Sequence, residues 1–146
     1  MTAPAPALLR LLFTSSREID HRYPVVRALS DTVFRLRAAP GNAARPVTLI
    51  HGAAKGGDEI ADQVWATWAA QWPDVYLMPP ERHPAKDHAD PKVRNAHMVE
   101  LGADACAAVA KQWASGTGHC ARLARAAGIP VWDFDVDTAP RKRAAR

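Results

Sequence analysis

A loop rich in glycine lies between a short apolar segment and a helical pattern. It reads HGAAKGGD from His51 to Asp58. Its three glycines, Gly52, Gly56 and Gly57, can adopt positive φ. A helix N-terminus follows, where free N–H groups favour an anion, and Lys55 adds a positive charge. The loop matches neither the Walker A pattern GxxxxGK[ST] nor the dinucleotide-binding pattern GxGxxG. Its glycines and the helix that follows predict either a phosphate site or a tight turn in which Asp58 caps the helix.

A second candidate is the sequence Ser115, Gly116, Thr117, Gly118. We predict it to be a loop between a strand and a helix. Backbone N–H groups and two hydroxyls could form a phosphate cradle there. The alternative is a simple Ser or Thr helix cap. Two glycines on either side of a threonine exceed what a cap needs, which favours a ligand.

Two further groups could supply charge and hydrogen bonds. Ser15, Ser16 and Arg17 follow the first apolar segment, and Arg94 and Asn95 begin a short helical pattern. Arginine suits bidentate contacts with phosphate or carboxylate. Asparagine can bind a base or ribose edge. The alternative for Arg17 is an ordinary surface arginine.

Metal and cysteine chemistry are not predicted. His83 and His88 lie near acidic residues, but no HExxH pattern or Cys/His quartet is present, so we predict no metal site and no cofactor. The two cysteines, Cys106 and Cys120, form no CxxC motif or disulfide framework. A reducing, cytoplasmic location is the simplest expectation.

The elements that must position these loops alternate along the chain. The apolar patterns predict strands at 8–14, 47–50, 75–78, 105–110 and 130–134, and helices at 23–37, 58–72, 93–101 and 118–127. This order is typical of an α/β, Rossmann-like doubly wound sheet, with about five mainly parallel strands and helices on both faces. Ligands bind such sheets at the carboxyl ends of the strands, where the candidate loops would meet.

Length and composition indicate one domain. The chain has 146 residues, 48% of them hydrophobic and 23% charged, which is typical of a globular protein. We predict a flexible tail at 1–7, a single domain at 8–136 and a basic disordered tail at 137–146. No apolar run approaches the roughly 20 residues needed to cross a bilayer, so no membrane association is expected.

The net charge of +4 comes entirely from the C-terminal tail. Its four cations are Arg141, Lys142, Arg143 and Arg146, so residues 1–140 are formally neutral. A basic tail can bind nucleic acid non-specifically. The favoured interpretation is a solvated, disordered end.

The loops, taken together and in order, resemble one family. The matching segments are Ser15-Ser16-Arg17, HGAAKGGD from His51, RNAHM from Arg94 to Met98, and Gly116-Thr117. The chain resembles the Smf/DprA–LOG (SLOG) superfamily over roughly residues 9–131, and in particular its small YspA/YpsA-like branch of bacteria and phages. That branch shows GSR, hGgArGaD, RN…M and GT motifs in this order. Ser15 replaces the usual glycine of GSR.

The resemblance implies a Rossmann-like sheet with a pocket for a nucleotide or nucleotide-derived ligand. It also implies a homodimer as one expectation, since relatives pair through helices and Trp65, Trp68 and Trp72 would form an aromatic helix surface. Some relatives, the LOG phosphoribohydrolases, cleave nucleoside monophosphates with an arginine and a loop glutamate. Arg94 matches that arginine by spacing, whereas Cys120 stands at the position of the loop glutamate.

Three functions therefore follow as expectations. The first is nucleotide binding, with or without processing, by the residues named above. The second is N-glycosidic hydrolysis through Arg94 and a carboxylate, either Asp58 or Glu59, which would replace the missing glutamate. The third is nucleic-acid association through the tail.

Overall fold

The computed structural model describes residues 7–111 and 115–136, with 115–117 described by their backbone alone. Strands and helices alternate along these residues. The strands are β1 (Leu9–Ser15), β2 (Val47–His51), β3 (Leu77–Arg82), β4 (Ala105–Ala110) and β5 (Val131–Asp135), and the α-helices are α1 (Tyr23–Ala38), α2 (Gly57–Gln71), α3 (Pro91–Leu101) and α4 (Ser115–Ala126). Two short 3₁₀ turns flank β3, at Pro73–Val75 and Ala85–Asp87.

All five strands form one parallel sheet in the order β3-β2-β1-β4-β5. The predicted Rossmann-like α/β class is therefore confirmed. The chain adds β2 and β3 on one side of β1 and then crosses to add β4 and β5 on the other side. The strand order thus reverses between β1 and β4, and a crevice at the carboxyl ends of such strands is where open α/β sheets bind ligands.

The sheet lies between two helical layers because successive β1 side chains point to opposite faces. Leu11 and Phe13 pack into the core beneath α1 and α2, where Trp65 is also fully buried. Leu12 faces the other core, which includes Met98 of α3 and Cys120 of α4. The predicted arrangement of helices on both faces is confirmed.

Both predicted bounds of β3, at Val75 and Met78, are wrong, since Val75 belongs to a 3₁₀ turn and the strand begins at Leu77. The strand runs to Arg82 and contains both Pro79 and Pro80. Proline is tolerated there because β3 is an edge strand and pairs only with β2. The pairing register also shifts between Thr48 and Ile50 of β2, and the Thr48 hydroxyl donates to the Pro79 carbonyl at 2.7 Å.

Two helices, α3 and α4, begin two or three residues earlier than predicted. The Asp90 carboxylate caps α3 by accepting from the backbone N–H groups of Lys92 and Val93, and Pro91 occupies the first turn. Both are standard helix-start signals. The backbone of α4 begins at Ser115, so Ser115–Gly118 is the first turn of a helix and not a loop before one.

The three tryptophans of α2 and its end do not share one exposed face. Trp65 is fully buried, and its indole N–H donates to the Met78 carbonyl at 2.8 Å. Trp68 packs against the core, and only Trp72 of the three is about half exposed. The expected aromatic surface is therefore wrong, although the homodimer itself stays a prediction. No helix among the described residues is both long and apolar enough to span a bilayer.

An ion pair connects β1 to β3 across β2. Arg10 donates to both Glu81 carboxylate oxygens at 2.9 and 3.1 Å, and its Nε donates to the Gly102 carbonyl. The bonds from Arg10 are the main reason that the pKa of Glu81 falls from 4.5 to about 2. A carboxyl with a lowered folded pKa stabilises the fold above its unfolded pKa.

We therefore expect Glu81→Gln to reduce the acid sensitivity of the fold. In the unaltered protein, the contribution of Glu81 is present above pH 4.5 and is lost as the pH falls toward 2. Urea denaturation across this range should give a shallower decline in the free energy of unfolding for the variant. Glu100→Gln, at an exposed carboxylate of α3, serves as the control. Parallel pH curves for Glu81→Gln and the unaltered protein would contradict the prediction.

Candidate functional site

A cavity of about 290 Å³ opens at the carboxyl ends of β1 and β2, beside the start of α3. Seven of the predicted site residues line it: Ser15, Ser16, Arg17, Gly52, Asp58, Arg94 and Asn95. The walls also include Phe13, Thr14, Glu18, Ala54, Pro91 and Met98. Among the described residues, the cavity therefore brings together three of the groups selected from the sequence.

The other predicted residues whose surroundings the structure describes lie outside this lining. Lys55 and Glu59 are exposed. Gly56 packs against the backbone of Arg17, and Gly57 packs against the side chain of Ser15. Gly118 is inside α4. The side chains of Ser115 and Thr117 and the environment of Gly116 lie outside the described residues, so their ligand contacts stay a prediction.

Asp58 accepts three hydrogen bonds at the cavity. Its Oδ2 accepts from the backbone N–H groups of Gly52 and Ala54, each at 3.2 Å, and its Oδ1 accepts from the Ser15 hydroxyl at 2.9 Å. The N-cap of α2 is Gly56, so Asp58 is not the cap. Its carboxylate reaches back from the first turn of α2 and occupies the N–H groups of Gly52 and Ala54, within the loop that was predicted to bind a phosphate.

Asp58 is only 5% exposed. Burial is the largest influence and raises the pKa of Asp58, while His51, Ser15 and other neighbours act in the opposite direction. Such a group can hold a proton more readily than an exposed aspartate. When ionised, it can accept a further hydrogen bond from a ligand.

Arg94 approaches the same loop from α3. Its Nη1 donates to the Gly52 carbonyl at 2.6 Å and makes a longer contact with the His83 carbonyl, at 3.4 Å. Its Nε donates to Asn95 Oδ1 at 2.9 Å. Asn95 is buried as well, and its Nδ2 lies 3.4 Å from His119 Nδ1. Asn95 therefore positions the guanidinium, a role that adjacency in the sequence did not indicate.

The three glycines of the loop are explained by contacts within the chain. A Cβ added at Gly52 would lie 2.4 Å from Arg94 Nη1, and one at Gly57 would lie 2.2 Å from Ser15 Oγ. Gly56 has φ +87°, and its added Cβ would lie 2.5 Å from the Arg17 carbonyl oxygen. What approaches the loop backbone closely is the protein itself, while contact of these glycines with a ligand stays a prediction.

His51 also holds the loop in place, a role that was not predicted from the sequence. It is buried, its Nδ1 accepts from the Ala53 N–H at 2.9 Å, and its Nε2 lies 2.7 Å from Asp62 Oδ2. Arg82 forms two further bonds with the Asp62 carboxylate. Ala53 has φ +54°, an uncommon value for a residue other than glycine. The bond to His51 helps to hold that conformation.

Cys120 does not replace the missing glutamate chemically. Its side chain is buried in the core between α3, α4 and the sheet. Burial is the main cause that raises the pKa of Cys120 to about 11. Within 7–111 and 115–136, no group of three or more His, Cys, Asp or Glu residues could hold a metal ion.

The sheet and its cavity define a Rossmann-like α/β protein with a charged crevice at the strand ends. A relative gives a narrower placement. Over 129 residues the chain is 38% identical to the Gene 61 protein of Mycobacterium phage D29, a match that covers 86% of this chain and 95% of the phage protein. The chain belongs to the family of that phage protein. No protein-family model and no solved structure matches this chain.

We expect Gly52→Ala to destabilise the fold by about 1–3 kcal/mol, because the new methyl group would displace the Arg94 side chain. In an Arg94→Ala background, the added cost of Gly52→Ala should fall by at least about 0.5 kcal/mol. Chemical denaturation of the two single variants and the double variant measures this coupling.

The control is Gly41→Ala, whose site has φ +84° but no atom within 4 Å of the added Cβ. Its cost comes from backbone strain and should be the same in both backgrounds. Strict additivity of Gly52→Ala and Arg94→Ala would mean that contact with Arg94 does not explain the glycine.

Proposed function

We propose that this protein binds a nucleotide or nucleotide-derived small molecule in the cavity. The observation that supports this most is the meeting of two arginines, Arg17 and Arg94, with the polar groups of Asp58 and Asn95 in one cavity. Arginines suit an anionic phosphate. A carboxylate and an amide suit the hydroxyl groups and base edges of a nucleoside.

The position of the cavity in the fold supports the same proposal. Ser16 lies where the strand order reverses: its N–H donates to the Val109 carbonyl, and its hydroxyl accepts from the Lys111 N–H, both at 3.0 Å. These bonds join the end of β1 to the end of β4. Doubly wound sheets bind ligands at this kind of point.

The size and walls of the cavity agree with part of a nucleotide. Its volume of about 290 Å³ is at the small end of the usual range for ligand pockets, about 300–1,000 Å³. Phe13 and Met98 add apolar surface beside the charged groups. Small-molecule sites typically combine apolar walls with a few well-placed polar groups.

We also propose that the phage protein family is a branch of the SLOG superfamily. The ordered motifs at residues 15–17, 51–58 and 94–98 support this placement. So do the five-stranded parallel sheet and the relative in a phage. Three of the motif segments meet at the cavity, as a shared ligand site would require.

We expect ribonucleoside 5′-monophosphates to raise the melting temperature of the protein. A ligand at a hundred times its dissociation constant adds about 2.7 kcal/mol, which corresponds to a shift of several degrees. The shift should shrink in Arg17→Ala and Arg94→Ala, because each change removes a positive charge from the cavity. Differential scanning fluorimetry with each nucleotide measures this.

Two controls separate the cavity from other positive charges. Arg27→Ala changes an exposed arginine of α1 outside this cavity, and a chain lacking residues 141–146 tests the basic tail, which lies outside the described residues. Both should keep the full shift. Loss of binding on removing the tail would favour the nucleic-acid alternative, and no shift with any nucleotide would contradict the proposal.

The second candidate function is N-glycosidic hydrolysis of a nucleoside monophosphate. The observation that favours it is the burial of Asp58 beside Arg94 in one cavity, with a raised pKa for the Asp58 carboxyl. Glu59 is exposed and outside the lining, so Asp58 is the better of the two predicted carboxylates. The reaction adds water across the glycosidic bond and yields a free base and ribose 5-phosphate.

If the protein is such a hydrolase, incubation with a bound nucleoside monophosphate should release the base, which chromatography detects. Asp58→Asn should lower the rate by at least about a hundredfold, within the range for loss of an acid–base group. Glu59→Gln should leave the rate unchanged. Nucleotide binding without base release would reject the hydrolase and leave the binding function.

A further inference from the structure

We propose that the ligand binds with a hydroxyl-bearing sugar against Asp58 and with its phosphate against Arg94 and Arg17, so that the N–H groups from Gly52 to Ala54 do not hold the phosphate. This inference rests on the proposed function and specifies the ligand class as a ribonucleotide with free sugar hydroxyls.

The first step concerns the donors of the glycine loop. A phosphate cradle needs backbone N–H groups that are free to donate. Those of Gly52 and Ala54 already donate to Asp58 Oδ2, each at 3.2 Å. An ionised Asp58 would also repel a phosphate at the same position. The N–H of Ala53 also donates, to His51 Nδ1. The part of the loop from Gly52 to Ala54 is therefore poorly suited to an anion.

The second step concerns the remaining capacity of Asp58. A carboxylate can accept about four hydrogen bonds. The bonds from Gly52, Ala54 and Ser15 use three of these positions. Since Asp58 also lines the cavity, one more donor could reach it from a ligand. A sugar hydroxyl is such a donor, whereas a phosphate oxygen is not.

The third step concerns the positive charges. Arg94 is held by Asn95 and by the Gly52 carbonyl through its Nε and Nη1, and a guanidinium has five N–H donors in total. Arg17 adds a second, exposed guanidinium to the lining. Asp58 and Arg94 thus contact the N–H and the carbonyl of the same residue, Gly52. An acceptor and a donor group therefore both adjoin Gly52 in the lining of the cavity, as a ribose and its phosphate require.

The test compares sugars on the unaltered full-length protein by isothermal titration calorimetry. The probes are ribonucleoside 5′-monophosphates and their 2′-deoxy and 2′,3′-dideoxy counterparts. Loss of a hydrogen bond to a charged group typically weakens binding by about tenfold to a hundredfold. We expect a loss of this size on removal of the hydroxyls, and this comparison does not depend on the folding of any variant.

Variants then locate the effect. Asp58→Asn should weaken ribonucleotide binding and reduce the difference between ribose and dideoxyribose. Glu59→Gln removes the same charge from the same helical turn, at an exposed position, and should change neither quantity. A phosphate on the glycine loop predicts the opposite sign for Asp58→Asn, because removal of the negative charge would then tighten binding.

The outcomes separate this inference from the proposed function. Equal affinity for ribose and dideoxyribose nucleotides, or tighter binding by Asp58→Asn, would overturn the inference and leave nucleotide binding intact. Absence of binding by every nucleotide would overturn both. Weaker dideoxynucleotide binding together with weaker ribonucleotide binding by Asp58→Asn would support both.

Discussion

The structure of the site depends on the burial of one carboxylate. Asp58 is almost fully enclosed, and a buried carboxylate is costly unless donors surround it. Its three donors come from the segment after β2, at Gly52 and Ala54, and from the end of β1, at Ser15. The hydrogen bonds that the buried Asp58 carboxylate needs therefore fix the distance from the ends of β1 and β2 to the first turn of α2.

The glycines of the loop follow from this constraint. With the β1 end held against α2 by the Ser15–Asp58 bond, there is no space for a Cβ at Gly57, and the backbone of Arg17 leaves none at Gly56. Arg94 closes on Gly52 from α3 in the same way. A sequence that looks like a phosphate-binding loop thus also solves a packing problem within the chain. Two of its backbone N–H groups, those of Gly52 and Ala54, already donate to Asp58.

The cavity combines charges of both signs because separate elements supply them. The carboxylate comes from α2, the buried guanidinium from α3, and the exposed guanidinium from the segment after β1. The parallel sheet brings these elements together at the carboxyl ends of its strands, since all the strands run in the same direction. Membership in the family of the D29 Gene 61 protein extends this architecture to a phage relative over 95% of that protein's length.

The sequence by itself determined the class of fold and the neighbourhood of the site. Strand and helix periodicities are local signals, so β4 was predicted with its observed bounds, and the rule for parallel sheets placed the loops after β1 and β2 together. Only the tertiary structure decided what each residue contacts. Proline within β3 became acceptable because the strand lies at the edge of the sheet, and Asp58 meets Ser15 across 43 positions of sequence, as Arg94 meets Gly52 across 42. Whether a backbone N–H is free or already bonded depends on residues that are distant in the sequence, and a local sequence pattern does not indicate which residues these are.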